Sequence, residues 1–111
     1  MESILTSVKK NLGIDEEYEH FDPDLILYIN SIFSVLNQMG VGPSYGFSIT
    51  DCSAAWDDFV SDDKICNLVK SYMILKVRMM FDPPQSSSVV NVYNELIKEY
   101  ESRLNIMSDI E

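Results

Sequence analysis

The segment DKICNLVKSYMILKVRMMF, Asp63 to Phe81, decides the fold. Ile65, Leu68, Val69, Tyr72, Leu75 and Met79 recur along it at helical spacing. Met73, Ile74, Val77 and Met80 make the helix apolar almost all round. Such a helix belongs at the centre of a bundle, because no face of it is suited to water. Ser61-Asp62-Asp63 supplies capping groups for its start. Phe81-Asp82-Pro83-Pro84 ends it, since proline lacks the N–H a helix needs and restricts the residue before it. Lys76 and Arg78 interrupt its most apolar part, and no run approaches the roughly 20 apolar residues of a membrane span.

Outward from this helix, the chain reads as further helices between strong stop signals. Downstream, Ser86-Ser87-Ser88 opens the last one. Val89, Val92, Tyr93, Leu96, Tyr100 and Leu104 mark its expected buried face, and Glu95, Lys98, Glu99 and Arg103 its outside. The tail from Met107 to Glu111 is expected to fray. Upstream, Ile4, Leu5, Val8 and Leu12 share a face, which predicts a first helix over 2–12 stopped by Gly13. An acidic loop comes next, with Asp15, Glu16, Glu17, Glu19 and Asp22, and His20 and Phe21 among them. Asp22 as N-cap and Pro23 in the first helical position then predict a second helix. Leu25, Ile29, Ile32, Leu36 and Met39 line it, widened by Ile26 and Phe33. Thr50, Asp51 or Ser53 is expected to cap a short helix through Trp56 and Phe59. The expected fold is all-α: one domain over 1–111, a small bundle of four to five helices around the central one at about 63–81.

Helix 2 stops at Gly40, and the loop 40–47, GVGPSYGF, holds three of the chain's four glycines. So many glycines require sharp turning or positive φ. Two aromatics in such a turn must either fold back or wait for a partner. Phe47 begins a short alternation with Ile49 and is expected to tuck against helix 2. Tyr45, between Pro43 and Gly46, is expected at the tip, facing a partner. Trp56 reads as a core anchor whose ring N–H is satisfied.

Composition narrows the function. Eighteen acidic against eight basic residues give a net charge of −10. That disfavours free-standing nucleic-acid binding and anionic membranes, and favours repulsion between copies. The two cysteines, Cys52 and Cys66, match no zinc or redox spacing and read as free thiols of a reducing compartment, serving as small buried hydrophobes. His20 has no evident nucleophile partner. Asp57-Asp58, Asp62-Asp63 and the Asp15–Asp24 cluster lack the order of a calcium loop, so no metal is expected. Ser44 stands in GPSYG, not in a nucleophile elbow, and Gly40-x-Gly42 has no preceding strand. No catalytic site and no cofactor site is expected.

The ordered set of short motifs is distinctive. Leu12-Gly13-Ile14 closes the first helix and Phe21-Asp22 opens the second. Then come Ile29-Asn30-Ser31, Gln38-Met39-Gly40-Val41-Gly42-Pro43 and Gly46-Phe47. Trp56-Asp57-Asp58-Phe59, Val69-Lys70-Ser71-Tyr72, Lys76-Val77-Arg78 and Phe81-Asp82-Pro83-Pro84 complete it. Over nearly its whole length the chain resembles the head–tail connector (adaptor) proteins of Gram-positive phages and prophages. The resemblance implies a helical, non-enzymatic virion protein, made in the host cytoplasm and resident at the head–tail interface. Its implied partners are the portal protein, neck or tail proteins, and further copies of itself in a dodecameric ring that DNA traverses without specific contact. Mutual repulsion allows a monomer in isolation. The resemblance nominates Gly42, Pro43, Ser44, Tyr45 and Gly46 for partner contact, and Leu104, Ile106 and Met107 of the last helix as a second segment. The charge also fits a different class of protein, an acidic phage-encoded inhibitor that mimics DNA and occupies a host protein.

Overall fold

The computed structural model describes residues 2–110, and side chains as far as Met107. It contains five helices: α1 (Ile4–Asn11), α2 (Asp22–Gln38), α3 (Trp56–Phe59), α4 (Asp63–Phe81) and α5 (Ser87–Ile110). α4 is central and touches each of the other four. Val69, Tyr72, Met73 and Val77 are fully buried along it, among Ile4, Val8, Leu25, Ile29, Leu36, Trp56 and Leu104 from the surrounding helices. The all-α bundle read from the apolar circumference of 63–81 is the observed architecture. No helix among the described residues is long and apolar enough to cross a membrane.

Helix ends obey local chemistry, with two departures. Asp62 caps α4 as expected, accepting from the backbone N–H groups of Lys64 and Ile65 at 2.9 and 3.1 Å. α1 ends in a Schellman motif: Gly13 N–H bonds Lys10 O and Ile14 N–H bonds Lys9 O. α2 ends the same way, with Gly40 N–H on Asn37 O and Val41 N–H on Leu36 O. Asp22, however, does not cap α2. The cap position is Phe21, and the Asp22 carboxylate turns away to Lys9. The short helix α3 is capped by none of Thr50, Asp51 and Ser53. Ala55 takes the cap position, and its N–H is held by Asp58 Oδ2 at 2.8 Å. Asp51 instead closes its own turn on Ser53, whose hydroxyl and N–H hold the carboxyl below its usual range.

Two long-range ties join the first helix to the middle of the chain. Ser3 and Ala55 form an isolated antiparallel bridge, with Ile4 N–H donating to Ala54 O at 3.0 Å. Trp56 Nε1 donates to Ser7 Oγ at 2.8 Å, and that hydroxyl in turn donates to the Ser3 and Ile4 carbonyls. Trp56 is thus the core anchor expected, with its ring N–H satisfied.

On α5 the buried face is rotated from the expected one. Val90, Tyr93, Ile97, Tyr100 and Leu104 turn inward, while Val89 and Val92 are exposed. Adjacent Val89 and Val90 support two stripes equally, and packing against α4 selects the second. α5 continues through to Ile110; Glu111, the last residue of the tail expected to fray, lies outside the described residues.

Candidate partner-binding surface

The loop after α2 is built outward from its glycines. Gly40, at φ +83°, reverses the chain and sends Val41 back into the core. Gly42, at φ +88°, passes so close to the Phe59 ring that a β-carbon there would lie 2.4 Å from it. Pro43 to Gly46 then forms a turn closed by Gly46 N–H on Pro43 O at 3.0 Å. Tyr45 stands at its tip, 91% exposed. Phe47 returns inward, half-buried, with its ring 4.9 Å from Phe33 and 5.3 Å from Phe59. Phe33 and Phe59 are themselves 4.7 Å apart, which closes a three-ring cluster under the loop. The split expected between an outward Tyr45 and an inward Phe47 matches this geometry.

The segment after the loop is not a strand. Ile49 is buried and Ser48 and Thr50 are exposed, so the alternation is real. Its partner is one side chain: the Asn30 amide donates to Ile49 O at 2.9 Å and accepts from Ile49 N–H at 2.8 Å. A single α2 amide therefore does what a neighbouring strand would do.

The structure brings the two nominated segments together. Gly42 shares a narrow crevice with Leu104 and Met107, along with Val41, Val60 and Ile65. Leu104 is fully buried there. Its position on the inward stripe of α5, against α4, is the reason. Ile106 points outward at 59% exposure, and Met107 is half-buried beside it. Beyond the crevice, Lys64 and Leu68 of α4 meet Arg103, Ile106 and Met107 of α5 in an open groove.

One polar feature was not foreseen. Lys9, in the last turn of α1, is only 2% exposed. Its ammonium donates to the carbonyls of Glu16 and Tyr18 at 2.8 and 2.7 Å and lies 2.9 Å from Asp22 Oδ1. That carboxylate oxygen has no well-aligned hydrogen bond, so charge alone holds it. The acidic loop is thereby pinned at its backbone while its own carboxylates face water.

Two further ionisable side chains, Cys66 and Tyr72, are buried. Burial, reinforced by Asp57 and Asp63, pushes the Cys66 thiol up, which makes it a poor nucleophile. Tyr72, fully buried, donates to Glu101 Oε2 at 2.8 Å; burial first, then that carboxylate, push its phenol up. Among the described residues no group of three His, Cys, Asp or Glu side chains is placed to hold a metal ion.

No curated protein and no solved structure shows significant similarity to this chain. A family model, described as phage connector protein, matches residues 4–111. That match spans all five helices, the glycine-rich loop and the pinned acidic loop, and the chain therefore belongs to the phage connector protein family.

Proposed function

We propose that this chain is a ring-forming adaptor between the phage head and its neck or tail. In this reading it docks on the portal protein, continues the DNA channel and offers the next protein a surface. The observation that carries the reading is the family match across nearly the whole chain. The surface supports it: a wholly exposed tyrosine sits on a loop whose base is anchored in the core. A rigid aromatic presented in this way gives contact area at low entropic cost. The role is structural, with no catalytic group engaged. Each subunit contributes a charge of −10. Carboxylates lining the channel would repel DNA phosphates over a Debye length of about 8 Å, so that the duplex slides without sticking.

The test compares two neighbouring aromatics in assembling phage. Tyr45→Ala should leave the melting temperature within about 1 °C of the parent and sharply reduce joined, tailed particles. Phe47→Ala should lower stability by about 1–3 kcal/mol, as a half-buried phenylalanine would, and impair joining only as far as folding suffers. Normal yields of tailed particles from folded Tyr45→Ala protein would refute the docking role of the loop. Stoichiometric capture of one host protein, with no virion incorporation, would refute the adaptor reading itself.

A further inference from the structure

Two surface features lie at opposite ends of α4. The first is the acidic loop. Glu16, Glu17 and Glu19 are exposed around a half-exposed Tyr18, and none of these carboxylates pairs with a cation among the described residues. The loop's shape is nevertheless fixed. Lys9 holds two of its carbonyls, and Phe21 packs edge-on against Phe81 at 5.0 Å, which places it at the C-terminal end of α4. A surface segment shaped before any partner arrives binds with less entropic loss.

The second feature is the groove at the N-terminal end of α4. Leu68, Ile106 and Met107 give it apolar walls, and Lys64 and Arg103 give it a cationic rim. Arg103 pairs with Glu99 through one N–H, and its guanidinium makes no other hydrogen bond among the described residues. Lys64 has no ion-pair partner among the described residues. From Lys64 to Phe81 the helix rises about 25 Å, so the two patches face opposite ends of the molecule.

We infer that the acidic loop of one copy seats in the cationic groove of the next. Tyr18 lies on Leu68, Ile106 and Met107, while Glu17 and Glu19 meet Lys64 and Arg103. The charges are complementary, and a tyrosine between carboxylates suits an apolar groove between cations. Because the two surfaces differ, the contact is head-to-tail, the kind that propagates and closes into a ring when its rotation permits. Against copies that repel overall, such local pairing sets the register. The contact rests on the ring-forming reading and supplies its subunit interface.

Cysteine pairs test it in particles assembled in infected cells. Cys52, contrary to the burial expected of both thiols, is exposed and is first changed to Ser; Cys66 is buried and stays. Tyr18→Cys with Ile106→Cys in the same chain should give, on oxidation, a ladder of cross-linked multimers. The two single variants, co-expressed, should give cross-linked dimers only. Lys64→Glu with Arg103→Glu should cut incorporation at least tenfold, and Glu17→Lys with Glu19→Lys in the same chain should restore it. Rings that form normally but never cross-link would overturn this contact and leave the ring reading intact. Incorporation of a single copy per particle would overturn both.

Discussion

Gly42→Ala tests the seat of the three-ring cluster directly. Two separate costs arise at this position. The backbone sits at φ +88°, where an added β-carbon costs about 1–2 kcal/mol from its own main chain. The same β-carbon would lie 2.4 and 2.5 Å from two atoms of the Phe59 ring. A flexible side-chain end could swing clear, but Phe59 is buried and wedged between Phe33 and Phe47. Relief must come from shifting three rings, an overpacking cost of about 1–3 kcal/mol. The expected total is about 2–5 kcal/mol. Gly46→Ala is the matched control: its φ is +91°, yet the nearest atom to an added β-carbon is Asn37 Nδ2 at an ordinary 3.7 Å. It should show the backbone cost alone. Urea unfolding reads both, and Gly42→Ala should move the midpoint down by about 1–2 M with an unchanged slope. Equal midpoints for the two variants would refute the close seating of Phe59 on Gly42.

Lys9→Met keeps the bulk of the side chain but strands Asp22 and two carbonyls. It should cost about 2–4 kcal/mol in urea unfolding, somewhat below the fully buried range because Asp22 reaches water. It should also speed amide exchange in the acidic loop while leaving α5 unaffected. Tyr72 makes stability fall in alkali. Its phenol ionises near pH 10 when unfolded and only at higher pH in the core, so the folded state retains the proton. The stabilisation is fully present below about pH 10 and is lost as pH rises beyond it. Tyr72→Phe should cost about 1 kcal/mol at neutral pH and make the alkaline limb shallower, as thermal unfolding from about pH 7 to 11 would show.

Several signals that lay in neighbouring residues were a sufficient guide, although the cap of α3 was not among them. The apolar circumference of 63–81, the double proline after it and the glycines after α1 and α2 each encode a local event, and each event occurs. The outward Tyr45 and inward Phe47 come from the same kind of local reasoning. What was missed depends on distant partners. Nothing near Lys9 in the sequence reveals that the carbonyls of Glu16 and Tyr18 will converge on it. Asp22-Pro23 has the composition of a cap, yet a buried ammonium competes for the carboxylate and wins. Asn30 gives no local hint that its amide will clamp Ile49, 19 residues away. Leu104 lies on the expected apolar stripe of the last helix and is buried there.

The bridge between Ser3 and Ala55 bears on the order in which the molecule assembles itself. α1 has only 8 residues, too few to persist alone in water. Its start is tied to Ala54 and Ala55, and its inner face to Trp56. Although α1 comes first in the chain, it must wait for a segment some fifty positions later before it has anything to fold against, a loop closure that slows its docking. The lone tryptophan sits at that junction. Its fluorescence therefore reports on that docking, and its signal should lag the helical signal of α2, α4 and α5 in stopped-flow refolding.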